Sequence, residues 1–196
     1  MAKIILITHQ KGGVGKSTLA FNLAQNISAN ATVAMLDMDL QGSLAQLKDL
    51  VSNFDIIPYQ NTIEDIRELP YDFIFIDTPP YLSNHLPGLI QMADLIIIPT
   101  KAGILDLLAI KSTIELIENE NKMDSTLVVF NMIKANTTLT LDILIGLAEY
   151  NVKIAETHIS DLVSFTRSVL VGGVQSDKNA QKQLDNLTRE LLNNLI

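Results

Sequence analysis

The sequence predicts an α/β domain built on a doubly wound, mostly parallel sheet with helices on both faces, and three observations predict it. Seven short apolar runs recur along the chain. Several are hydrophobic at every position rather than at every second one, which suits parallel strands covered on both faces. Helix-like segments separate most of them, the rhythm of consecutive βαβ units. With 196 residues, 47% of them hydrophobic, the chain is long enough for one well-buried core, so residues 1–196 are read as a single domain.

In chain order, "KIILIT" (3–8) is the first strand, and the glycine-rich "KGGVGKST" (11–18) leads from it into a helix over 16–29. "TVAMLD" (32–37) is the second strand, followed by a helical segment over 42–52 and a third strand, "DIIPY" (55–59). "DFIFID" (72–77) and "DLIIIPT" (94–100) are the fourth and fifth strands, and a helix is expected over 104–121. The polar "NENKMDS" (119–125) reads as a connection to the sixth strand, "TLVVFN" (126–131). A helix over 138–150, a strand "VKIAET" (152–157) and a final helix over 176–195 complete the pattern. In that last helix Leu184, Leu187, Leu191 and Leu195 recur at spacings of three and four, the signature of a face packed on the sheet.

Composition narrows the function classes. With no cysteine in the chain, disulfides, thiolate metal sites and cysteine-ligated iron–sulfur clusters are excluded. The first apolar run lacks the length and cleavage pattern of a signal peptide, and no stretch approaches the roughly 20 apolar residues of a membrane span. A cytoplasmic protein is expected. The net charge of −8 is uneven: residues 49–148 hold fourteen acids against five bases, whereas residues 149–196 hold six against five. A nucleic-acid surface would have to be local or built by association of subunits. His9, His85 and His158 share no ligand spacing and suggest no metal site.

The chemistry concentrates at strand ends, where open α/β sheets bind ligands. In "KGGVGKST", Gly12, Gly13 and Gly15 allow close approach of the backbone, and the N–H groups of the loop, including Val14 and Thr18, face phosphate oxygens at a helix start. Lys16 should reach the β- and γ-phosphates, and the Ser17 hydroxyl should ligate Mg²⁺. "LDMDLQGS" ends the second strand with Asp37 and Asp39; a carboxylate there can hold a metal-bound or nucleophilic water, and Asp37 reads equally as a strand-end residue. "FIFIDTPP" delivers Asp77 at the end of an apolar strand, as expected of an acid contacting Mg²⁺, and Thr78, Pro79 and Pro80 begin a rigid loop. Asn131 closes the sixth strand, where its amide can pair with a base edge or cap a turn.

A common phosphate-loop pattern has glycine five residues before Gly15; this chain has Gln10 followed by Lys11. K-G-G-x-G-K-[ST] resembles the deviant Walker A loop of the ParA/MinD family of P-loop ATPases, and "LDMDLQGS", "FIFIDTPP" and "DLIIIPT" followed by "LDLLAI" resemble that family too, over residues 3 to about 135. Leu40 departs from the proline of the family's D-x-D-P-Q segment. The resemblance implies that Lys11 is a signature lysine crossing a dimer interface to the partner's ATP, that Asp39 belongs to a switch near Mg²⁺ and the attacking water, and that Asn131 contacts adenine. Asp94, Pro99 and Asp106 match in place but read first as strand-end architecture.

The implied protein is a ParA-type ATPase for plasmid or replicon partition. ATP drives a homodimer that binds DNA without sequence preference, associated with the nucleoid, and a centromere-binding partner, ParB-like or of small ribbon-helix-helix type, stimulates hydrolysis. Arg167, Lys178 and Lys182 are the DNA-binding candidates, since "ISDLVSFTRSVLVGG" (159–173) loosely resembles the family's later loop-helix region. A first strand at residue 3 leaves no expectation of a preceding helix-turn-helix domain. Three alternatives stay open: a MinD-like membrane-positioning ATPase, against which the charge-balanced and aromatic-free last helix argues; an ATPase positioning a protein cargo; and a small-molecule ligase or kinase of the dethiobiotin synthetase kind.

Overall fold

The structure is a computed structural model that describes residues 1–38, 53–58, 66–80, 84–134 and 141–195. All seven expected strands form, as β1 (Lys3–Ile7), β2 (Val33–Asp37), β3 (Asp55–Pro58), β4 (Phe73–Asp77), β5 (Leu95–Thr100), β6 (Thr126–Phe130) and β7 (Lys153–Ile154). They make one sheet in the order β3-β2-β4-β1-β5-β6-β7, and every pairing is parallel. The expected mostly parallel, doubly wound sheet is therefore present. β7 is shorter than its apolar run, pairing only Lys153 and Ile154 with Leu127 and Val128.

The helices are α1 (Lys16–Ile27), α2 (Leu86–Met92), α3 (Ile104–Asn119), α4 (Leu141–Ala148), α5 (Val163–Val171) and α6 (Lys178–Asn193). The expected helix over 42–52 lies outside the described residues. α2 is unexpected; its Pro87 and Gly88 read as turn signals, yet proline sits in the first helical turn, where its missing N–H costs nothing. Alternation along the central strand sends Ile5 and Ile7 to one face with α1, α5 and α6, and Ile4 and Leu6 to the other with α2, α3 and α4. Two apolar layers thus sandwich the sheet, which is why its strands are hydrophobic throughout.

Leu184, Leu187 and Leu191 of α6 are buried in the first layer, with Leu195 packed against it. The stripe read from the sequence is a core face. No described helix is long and apolar enough to cross a membrane.

Candidate nucleotide site

β1 lies between β4 and β5, so the loop that leaves it rises at the centre of the sheet, where consecutive units wind to opposite sides. Asp77 at the end of β4 is in register with Ile7 on one side and with Asp37 on the other. The carboxyl ends of three strands therefore meet beside the loop. The Thr78 hydroxyl donates to the Ile7 carbonyl at 3.0 Å, fixing the start of the loop after β4 to the strand that precedes the phosphate loop.

Within the loop Gly13 (φ 71°) and Gly15 (φ 86°) occupy the left-handed region, which side chains other than glycine disfavour. Gly15 is constrained twice, because a Cβ there would collide with the Asn131 amide nitrogen. That amide donates to the Val14 carbonyl at 2.8 Å. The residue expected at the adenine thus also braces the phosphate loop from the end of β6.

Gly12, Gly13, Gly15, Lys16, Ser17, Thr18, Thr78 and Pro80 line a cleft of about 230 Å³ over the start of α1. Next to it, sharing Gly13, Gly15 and Thr18, lies a mainly apolar cleft of about 200 Å³ whose wall includes Asn131, Met132, Ile159, Leu162 and Phe165. A polar compartment at a helix N-terminus beside an apolar slot suits a phosphate chain joined to a flat base. Lys16 is buried, and its ammonium donates to the Lys11 carbonyl at 3.3 Å. The cleft that holds Ser17 also holds Thr78, and their hydroxyls are hard oxygen groups; Asp77, the residue before Thr78, is buried at the end of β4. Asp39 lies outside the described residues.

In the single chain Lys11 is held within its own protomer. Its Nζ lies 2.6 Å from Oδ1 of Asp106, in the first turn of α3. Asp106, read from the sequence first as strand-end architecture, thus makes a direct contact with Lys11. Asp94 keeps its architectural role: it accepts the Ile4 N–H at 2.8 Å and pairs with Arg67 at 3.1 Å. His9, which the sequence groups with two unremarkable histidines, is fully buried and accepts the Lys11 N–H on Nδ1 at 2.9 Å. Burial, then the Lys16 charge, lowers its pKa to about 4, with Asp106 opposing and Lys11 adding. Only the spacing of two between an acceptor side chain and a loop N–H could have signalled it.

The expected DNA-binding residues are dispersed along α5 and α6. Arg167, Lys178 and Lys182 are not buried, and none forms an ion pair among the described residues. Arg167 is flanked along α5 by Val163, Leu170 and Val171, each about two-thirds exposed. Ser164 at the start of α5 donates to Asp177, which caps α6 through the Asn179 and Ala180 N–H groups.

Comparison with known proteins agrees with this geometry. The CobQ/CobB/MinD/ParA nucleotide binding domain matches residues 5–186. The maintenance of carboxysome distribution protein A of Gloeobacter kilaueensis is 35% identical over 119 residues, which span 57% of this chain and 55% of that protein. A virulence plasmid ParA family protein of Chlamydia psittaci is 27% identical over 94% of this chain and 92% of its own length. A Borrelia burgdorferi structure described as a putative plasmid partition protein, bound to AMPPNP, superposes with a TM-score of 0.76 at 23% identity, each chain fully covered.

Proposed function

Because the chain belongs to the CobQ/CobB/MinD/ParA nucleotide-binding family, we propose that it is a partition-type ATPase whose ATP-bound dimer carries a plasmid or other replicon along DNA. The observation that carries this reading is the pair of lysines at one loop: Lys16 is buried at the loop's centre, while Lys11 stands at the rim, one-third exposed and held by Asp106. One cation suffices for a protomer's own β- and γ-phosphates. A second at the rim is suited to a nucleotide bound by a facing copy.

In this reading Gly12, Gly13, Val14, Gly15 and Thr18 present N–H groups to the phosphates, and Lys16 neutralises the charge developing in the transition state. Ser17 and Asp77 would hold Mg²⁺, which would supply positive charge to neutralise the phosphates. Asp39 orients the attacking water, and Asn131 meets the adenine edge. Lys11 leaves Asp106 and completes the partner's site. Arg167, Lys178 and Lys182 contact duplex phosphates, twice over in the dimer, and a centromere-binding protein stimulates hydrolysis.

A gel-shift titration of non-specific duplex, run with ATP, ADP and no nucleotide, tests the reading. Binding is expected with ATP alone and weakened in Arg167→Ala. A dimer making about six phosphate contacts loses roughly a thousandfold in affinity between 50 and 200 mM salt. Equal or absent binding in all three nucleotide states would remove the DNA carrier mechanism. That result favours a second reading, an ATPase positioning a protein cargo, to which the Gloeobacter similarity and the exposed Val163, Leu170 and Val171 around Arg167 lend support.

A further inference from the structure

We propose that His9 is a positioning residue for the second lysine: through Nδ1 it holds the Lys11 backbone, and so aims both the Lys11 side chain and the carbonyl that receives Lys16. Lys11 is fixed at three points. Its N–H goes to His9 Nδ1 at 2.9 Å, its carbonyl accepts the Lys16 ammonium at 3.3 Å, and its own ammonium reaches Asp106 at 2.6 Å. The first of these anchors the peptide that enters Lys11, directly before the side chain and the carbonyl that make the other two contacts. Gln10, between the two residues, is tied to α3 as well, its N–H donating to the Thr113 hydroxyl at 3.3 Å.

The bond dictates the state of the ring. A nitrogen that accepts an N–H cannot carry a proton, so the neutral imidazole must be protonated on Nε2. Nε2 is buried and has no hydrogen-bond partner among the described residues. A buried Nε2–H without a partner is a cost of this tautomer, and the Lys11 N–H at Nδ1 is the contact on the other side that selects it. The surroundings keep that acceptor available: the charges acting on the ring are Lys16 from α1, Asp106 from α3 and Lys11 from the loop, two cations against one anion. Together with burial they disfavour an imidazolium. Protonation would turn Nδ1 into a donor facing the Lys11 N–H, and the loop would have to move.

The kinetic arm of the test rests on the ATPase reading; the spectroscopic arm does not. In the labelled wild-type protein without nucleotide, long-range ¹H–¹⁵N correlation spectra are expected to show the Nε2–H tautomer for His9 at pH 7. The Nδ1–H tautomer overturns the proposal without any variant having to fold. His9→Asn keeps an amide oxygen near the Nδ1 position, whereas His9→Leu fills the space and accepts nothing. With helical circular dichroism retained, His9→Leu is expected to lower ATP turnover between about tenfold and a hundredfold, the range of effect for a misplaced catalytic group. His9→Asn should restore turnover to within about threefold of the parent. Equal loss in both variants, or none in His9→Leu, overturns the positioning role. A parent without ATPase activity would instead defeat the functional reading, and the tautomer would still decide the inference.

Discussion

The Lys11 ammonium and the Asp106 carboxylate, 95 positions apart in sequence, are joined at 2.6 Å between the start of the phosphate loop and the first turn of α3. The lysine side chain is 34% exposed and the aspartate 11%. A pair this close to water contributes on the order of 1 kcal/mol, so it can hold a side chain in place and still be exchanged for another anion. Asp106 thereby competes with any phosphate that Lys11 is to reach.

Replacing Asp106 with Asn should free Lys11 while preserving the shape of the first turn of α3. The ATP dimer is then expected at lower protein concentration than in the parent, read by light scattering with a non-hydrolysable ATP analogue. Weaker dimerisation in Asp106→Asn would mean that the pair organises the site rather than restraining it.

Lys16→Met separates nucleotide binding from folding. The change relieves the desolvation of a buried ammonium but also removes its hydrogen bond to the Lys11 carbonyl, so the melting temperature of the nucleotide-free variant serves as its own reference. The parent should gain about 2.7 kcal/mol at ATP a hundredfold above its Kd, and the variant none. Differential scanning fluorimetry with and without Mg-ATP reads both; a variant still stabilised by ATP would take Lys16 out of the site.

Asn131→Leu should weaken the loop from outside it. The change removes the amide that donates to Val14 and leaves a buried carbonyl unpaired, at a cost of about 1–3 kcal/mol. Urea denaturation measures this, and a parallel ATP titration should show reduced affinity, because the brace sits beside Gly15. Unchanged stability would show that water replaces the amide.

Acid should destabilise the protein partly through His9. Its pKa is about 4 in the folded state, against 6.5 for an ordinary histidine, so between these limits the unfolded chain binds a proton that the native state does not. The stabilisation is complete above pH 6.5 and is lost as the pH falls towards 4, to a total of about 3 kcal/mol. His9→Asn should flatten that part of the stability profile. A profile of the same slope in parent and variant would place the acid sensitivity elsewhere.

The sheet was legible because burial on both faces writes itself into continuous apolar runs. Ile4, Ile5, Leu6 and Ile7 are all fully buried, and a covered parallel strand is what asks for four such residues in a row. The phosphate loop was legible because its glycines answer local backbone requirements. Asp106 and His9 were not. The first meets Lys11 through a contact spanning 95 positions, which no local pattern encodes, and the second accepts the Lys11 N–H from a fully buried ring, a burial that only the packed fold creates. α2 was missed because Pro87 and Gly88 signal a turn as readily as a helix start, and β7 was overextended because "VKIAET" leaves the sheet after two paired residues. Asp39 and residues 42–52 fall outside the described structure.

The position of β1 between β4 and β5 also bears on how the protein comes into being. Its neighbours are in register with it through Phe73 to Asp77 and through Leu95 to Ile97, some 70 and 90 residues downstream. Closing loops of that size costs entropy before any strand pairing is gained, which makes such topologies slow to fold. During synthesis the phosphate loop precedes its supports: its scaffold is incomplete until residue 97 has appeared, and its brace is missing until Asn131 follows. Nucleotide therefore cannot guide the early stages of folding, and the nascent chain must protect the apolar β1 until those partners have been made.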